Sequence, residues 1–178
     1  MNEIANKVKW FFPWQDQEEE EWLEQQSKSG LHLIKVNLFG KYSFEVGEPK
    51  DYVYRLDFHS EIKDKNSYLR LFEDAGWEHI SGESSWQYFR KLSSSQASTE
   101  IFTDNQSKIK RYERLRAYYG AFLVIYFSVF IAITRPREIY PWLNLLLTLT
   151  YIPLLAILGI SVFKISNRIN KLKESVKD

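Results

Sequence analysis

The chain has no cysteine and, among its 178 residues, only three histidines. Without cysteine there can be no disulfide framework, no thiolate zinc site and no thiol nucleophile, a composition that suits a reducing compartment. A glycine-rich phosphate loop, a Gly-x-Ser-x-Gly elbow and a His-Glu-x-x-His helix are missing as well. The protein is therefore expected to be non-enzymatic and to need no cofactor. His32, His59 and His79 fall on or beside expected strands. A zinc site of His59, His79 and Asp57 would suit the chemistry of imidazole and carboxylate. No spacing selects it, however, and surface or partly buried strand histidines are the simpler reading. Asp16 and the four glutamates at 18–21 form an acidic run at an expected helix start, where the helix dipole favours negative charge. Calcium would need oxygen ligands spread over a loop, so the run is expected to be a solvated helix face, and no metal is expected.

Charge is also missing from two long runs, residues 117–134 (AYYGAFLVIYFSVFIAIT) and 141–163 (PWLNLLLTLTYIPLLAILGISVF). As a helix rising about 1.5 Å per residue, the first would be roughly 27 Å long, close to the hydrocarbon thickness of a bilayer. The second places Trp142 at an interfacial depth, and Pro153 and Gly159 are tolerable within a membrane helix. The short link RPREI makes the two an antiparallel hairpin, expected to cross the cell membrane twice. Cations crowd its outer flanks: Lys108, Lys110, Arg111, Arg114 and Arg116 before the first run, Lys164, Arg168, Lys171, Lys173 and Lys177 after the second. The positive-inside rule then puts both termini in the cytoplasm, and the same cations suit anionic headgroups. The stretch MNEIANKVKWFFPW lacks the apolar core of a secretion signal, which keeps the head in the cytosol. Asn144, Thr148 and Tyr151 share one face of the second run. Packing against Tyr119 and Tyr126 of the first is the expected use, with a homo-oligomer seam or a substrate path as alternatives.

What is present in the head is acid, aromatics and an internal echo. Residues 1–107 carry 12 Lys+Arg against 19 Asp+Glu, whereas residues 108–178 carry 12 against 4. An acidic head without a basic groove repels a phosphate backbone, so nucleic acid is not expected as a partner. Shifting the head by 46 residues lays 8–44 over 54–90 with five identities: Phe12/Phe58, Leu23/Leu69, Gly30/Gly76, Ile34/Ile80 and Tyr42/Tyr88. Each copy reads as an alternating strand (Val8, Trp10 and Phe12, then Tyr54, Leu56 and Phe58), a helix, a glycine suited to a left-handed helix end, and a strand-turn-strand hairpin. Asp16 is the expected N-cap of the first helix, with Trp22, Leu23 and Gln26 as its inner stripe; Tyr68, Leu69 and Phe72 serve the second.

The expected fold is an α+β cytosolic domain built from a duplicated strand-helix-strand-strand unit, with an antiparallel sheet and both helices on one face, followed by an α-helical two-span transmembrane hairpin. The domain covers 1–92 with repeats 8–46 and 54–91, a polar linker covers 93–107, and the hairpin covers 108–178. Duplicated units of this kind also occur in effector-binding domains related to gyrase inhibitory protein, a likeness of architecture alone. It directs attention to the seam between the halves. Trp10, Trp77, Trp86 and Tyr88 are the candidate ligand-binding residues there, because aromatics beside acids bind organic cations. Core packing is the alternative for all four.

Taken together, FFPW, EEEEWLEQQSKSG, LFGKYSFEVGEP, YVYRLDF, YLRLFEDAGWEHI, WQYFRK and EIFTDNQSKIKRY, in that order, resemble the bacterial domain-of-unknown-function family 2812 over about residues 8–115. The first half departs in having Leu31 where the second has Trp77. The resemblance carries over no catalytic residue. It implies a Gram-positive bacterial membrane protein, frequently encoded beside a PadR-like transcriptional repressor, and so a regulatory role in the response to envelope or toxic-compound stress. The expected partners are the lipid bilayer, a PadR-like regulator and further copies of the chain. A sensor of lipophilic cations and an accessory subunit of a membrane transporter are the competing readings.

Overall fold

A computed structural model describes residues 3–37, 39–59, 61–83, 85–93, 100–101, 105–134 and 141–176. The chain divides into two compact units, Met1–Arg111 and Tyr112–Asp178. The first contains β1 (Ile4–Val8), α1 (Asp16–Lys28), β2 (Leu31–Val36), β3 (Lys41–Val46), β4 (Tyr52–Phe58), α2 (Lys65–Asp74), β5 (Glu78–Glu83) and β6 (Trp86–Leu92). The strands make two three-stranded antiparallel sheets, ordered β1-β3-β2 and β4-β6-β5. In both, the second strand of the hairpin is central and the strand before the helix takes the far edge.

Both sheets are bulged at the same place. Register slips between Leu33 and Lys35 in β2 and between His79 and Ser81 in β5, so the extra residue is Ile34 in one and Ile80 in the other. A bulge bends and twists its strand and disrupts the outward ladder. Here β2 and β5 abut through a side chain instead, the Val36 N–H reaching Ser81 Oγ at 3.5 Å, while the Leu33 N–H reaches the hydroxyl of Tyr54 on β4 at 3.4 Å. Beyond the bulges the halves diverge. Val36 stands opposite Tyr42, but Gly82 stands opposite Gln87, so the second hairpin is one residue shorter. A one-residue slip moves a strand side chain to the opposite face, and Tyr88 consequently points away from α2.

The first strand lies earlier than the expected alternation at Val8, Trp10 and Phe12. β1 runs antiparallel to β3 only as far as Val8↔Lys41, where β3 itself begins; past that point no partner strand remains. Ala5 faces Phe44 as Arg55 faces Phe89, and Phe12 therefore has no counterpart in Phe58. The glycines behave as expected. Gly30 and Gly76 follow α1 and α2 with φ of 80° and 81°, a region that glycine enters without penalty.

α1 spans both sheets. Its Leu23 shares one core with Leu33, Val36, Tyr42 and Phe44 of the first sheet and with Tyr54, Leu56 and Tyr88 of the second. α2 packs on the other face of the second sheet, where Phe72 meets Val53, Trp77 and Phe89. The helices thus lie on opposite faces of that sheet, not on one. The cause is the alternation of β4 and β6, in which Tyr54 and Tyr88 look one way and Val53 and Phe89 the other. α2 is capped by Asp64, which accepts the Ser67 N–H at 3.1 Å. α1 is not capped by Asp16. Gln15 takes the N-cap position and turns its side-chain oxygen back to the Phe12 N–H at 3.0 Å.

α3 (Asn105–Thr134) and α4 (Pro141–Glu174) complete the chain, and each contains a stretch long and apolar enough to cross a membrane by length and composition. They run antiparallel: Tyr126 meets Tyr151 with ring centroids 5.5 Å apart, and at the other end Lys173 Nζ donates to Glu113 Oε1 at 2.9 Å. Tyr112, Leu115, Ile165 and Ile169 are buried, whereas Val124, Ile125, Phe127, Leu149 and Ile152 are exposed.

Candidate functional site

The densest polar chemistry in the first unit lies on α1. Residues 16, 19, 20, 23 and 27 share one helical stripe by their i, i+3, i+4 spacing, and all five are buried. The acidic run is therefore not a solvated face; only its other side is. The inner stripe is Asp16, Glu19, Glu20, Leu23 and Ser27, with Trp22 and Gln26 at its margin.

A buried carboxylate needs hydrogen-bond donors, and the fold supplies them from distant elements. Tyr42 and Tyr88, one from the centre of each sheet, both donate to Glu19 Oε1, at 2.7 and 2.8 Å. Burial pushes both phenols up, so they stay protonated and able to donate. Burial also raises Glu19 itself, against the lowering effect of its two tyrosine donors.

Glu20 and Glu24 do something different. β4 is an edge strand, and the N–H groups of Tyr54 and Leu56 point outward from it. Glu20 Oε1 accepts the Leu56 N–H at 2.8 Å and Glu24 Oε1 the Tyr54 N–H at 3.3 Å. The outward carbonyls are met by cations: Arg55 Nη1 donates to Tyr54 O at 2.6 Å, and Arg111 donates to Leu56 O. Side chains of α1 and of the start of α3 thus close the β4 edge, which would otherwise invite another strand. The cluster is tied together by ion pairs, Arg55 with Glu24 at 2.9 Å and with Glu20 at 3.7 Å, and Arg111 with Asp16. Burial lifts Glu20 to about 7, in spite of Arg111, the Leu56 amide and Arg55, all of which favour its charged form.

Of the four expected ligand-binding residues, Tyr88 belongs to this cluster. Trp86 packs at the edge of the same core, against Phe58 with centroids 5.3 Å apart. Trp77 is buried in the separate α2 core, with Lys91 Nζ 5.8 Å from its ring centre. Trp10 is exposed, in the loop after β1. The structure therefore joins two of the four and separates the others. Asp16, Glu19, Glu20, Arg55 and Arg111 were missed. Their signal was the stripe spacing: acids at 16, 19 and 20 lie in line with Leu23.

His32 is held by Ser27 Oγ at 3.2 Å and Glu48 O at 2.8 Å, and His79 by Gln87 Oε1 at 3.0 Å. Asp57 accepts from the Tyr68 hydroxyl at 2.8 Å. Among the described residues no three His, Asp or Glu side chains are grouped to hold a metal ion. In the second unit Tyr151 meets Tyr126 and Phe130, Thr148 is half-buried, and the side chain of Asn144 lies outside the described residues.

Comparison with curated proteins and with solved structures gave no match. A family profile does match, over residues 15–124, from the start of α1 to the middle of α3. With more than half of its length inside that match, the chain belongs to the family described as "Protein of unknown function (DUF2812)".

Proposed function

We propose that the chain is a membrane-anchored regulatory protein, not an enzyme, whose head binds a protein partner at the cytoplasmic surface of the cell membrane. The observation that carries this reading is α3. It is one helix with Arg111 buried among the carboxylates of the head; from Ala117 onward it is uncharged and exposes Val124, Ile125 and Phe127. Apolar exposure on this scale is a contact surface for lipid or protein, and lysines and arginines at the outer ends favour cytoplasmic termini. The same helix gives the head a lever. Arg111, near its start, donates to the Leu56 carbonyl on the β4 edge and pairs with Asp16, so a change at the start of α3 reaches both. The shared strand order and the common bulge position support reading the head as a duplicated unit.

A PadR-like repressor is the proposed partner, held at the membrane and released under envelope or toxic-compound stress; this rests on the gene neighbourhood that the family resemblance implies. The test is affinity purification of the tagged full-length chain from native membranes in mild detergent. Recovery of such a repressor supports the reading. Recovery of a transporter in its place favours an accessory subunit, and recovery of no partner even after in-cell cross-linking would sink the partner-binding reading.

A further inference from the structure

The loop after β1 and the turn between β2 and β3 form a single lobe. The Lys9 N–H donates to Gly40 O at 2.9 Å, and the Trp10 ring lies 3.4 Å from where a Gly40 side chain would begin. Asn37 shapes the turn by accepting the Phe39 and Lys41 N–H groups at 3.1 and 3.0 Å. Phe11 points inward onto Trp22, with centroids 5.7 Å apart, so its neighbours Trp10 and Phe12 point outward. Trp10 is 68% exposed and Phe39 74%. A folded domain gains nothing in water by displaying these rings together.

The charge around the rings is equally unusual. Lys35 and Lys41 are exposed here, and Lys9 is exposed at the margin with its ammonium over the Phe11 and Trp22 rings at 4.8 and 4.9 Å, in a head whose acids outnumber its bases by 19 to 12. Glu45 lies at the far end of the first sheet, opposite Ile4. Exposed tryptophan and phenylalanine beside lysine is the chemistry that settles at an anionic membrane interface: the rings sit at headgroup depth and the ammonium groups meet lipid phosphate.

We propose that this lobe, Trp10, Phe12 and Phe39 with Lys9, Lys35 and Lys41, docks onto the interface of an anionic bilayer. The proposal rests on the membrane-anchored reading above. Along α3, five residues lie between Arg111 and Ala117, so the head is joined covalently to the uncharged run through a short piece of helix. Such a tether gives a weak site a high effective lipid concentration. Docking would hold the first sheet against the membrane and leave α2 and the second sheet free for a protein partner.

Because the chain has no cysteine, one introduced cysteine can carry a spin label without further change. The full-length Phe39→Cys chain, labelled with a nitroxide, is reconstituted into vesicles of phosphatidylcholine with phosphatidylglycerol and into vesicles of phosphatidylcholine alone. Relative accessibility to oxygen and to a water-soluble nickel chelate reports depth. The label is expected at membrane depth in the anionic vesicles and in water in the neutral ones. Lys9→Glu/Lys35→Glu/Lys41→Glu should return it to water, since each lysine is worth about fivefold and three together about a hundredfold in the docked population. Lys63→Glu/Lys65→Glu, on exposed lysines elsewhere, should leave it docked. A label that stays in water while the chain resists carbonate extraction overturns this proposal alone. Spin–spin broadening between labels would assign the lobe to a second copy and overturn it too. Release of the whole chain by carbonate would overturn the anchoring reading, and this one with it.

Discussion

Glu20 makes the head sensitive to alkali. Its carboxyl is lifted from 4.5 to about 7, chiefly by burial. A carboxyl raised on folding stabilises the fold fully below its unfolded value and loses that contribution as pH rises through its folded one. Ionising the group in place costs about 3 kcal/mol overall, of which about 1 kcal/mol falls between about pH 6 and about pH 8. Glu19, also raised by burial, adds in the same direction. His79, lowered by burial, works the other way, but only below about pH 6.5, the ordinary histidine value. The measurement is urea unfolding of the full chain in detergent, read by pulse proteolysis of the head. With a slope of about 1–2 kcal/mol per molar urea, the midpoint should fall by about 0.5–1 M from the lower to the higher pH. Glu20→Gln keeps an acceptor for the Leu56 N–H without the charge. It should shrink that fall and unfold later than the wild type at the higher pH. A wild-type midpoint that stays level or rises, or a variant that repeats the full fall, would refute the assignment of Glu20 as a buried, proton-binding group.

Two further outcomes follow from geometry. Gly30→Ala should cost about 2–3 kcal/mol and Gly76→Ala about 1 kcal/mol in the same assay, because a Cβ at Gly30 would meet the Gly47 carbonyl oxygen at 2.4 Å whereas at Gly76 it meets only the flexible end of Lys91 at 3.2 Å; equal costs would refute the distinction. Tyr42→Phe and Tyr88→Phe should each cost about 1–3 kcal/mol by removing one donor from buried Glu19, and the double variant should depart from their sum. A strictly additive cycle would mean that the two hydroxyls do not share one carboxylate.

The parts of this fold legible from sequence were those set by local rules. Alternation located five of the six strands, Gly30 and Gly76 marked helix ends, and uncharged length marked α3 and α4. What escaped depended on register. The identity Tyr42/Tyr88 suggested equivalent places in two copies, yet the shorter second hairpin turns Tyr88 onto the opposite face of its sheet. That displacement lets both hydroxyls reach Glu19 from two different sheets. Composition also misdirected the reading of the acids. Glutamates at a helix start resemble a solvated face until their donors are known, and those donors lie as far off as Arg111, 95 residues from Asp16.

The cluster explains why an acidic helix can be buried at all. Four carboxyl groups of α1, Asp16, Glu19, Glu20 and Glu24, share the neighbourhood of Arg55 and Arg111, and a fifth, Glu100, pairs with Arg55 at 3.5 Å and is matched by Lys108 at 2.9 Å. Fully ionised, the set would carry two uncompensated negative charges in a poorly solvated space, which is unfavourable. Glu19 and Glu20 are the two that burial raises, and with both protonated the set is neutral. Each of the two then occupies a fixed hydrogen-bonding place, one between the central strands of the two sheets and one on the β4 edge. Arg111, at the start of α3, completes this balance by pairing with Asp16. Glu20 and Arg111 thus meet the same strand edge, at the N–H and the carbonyl of a single residue, Leu56, so protonation of the first and loss of the second would be felt at one place.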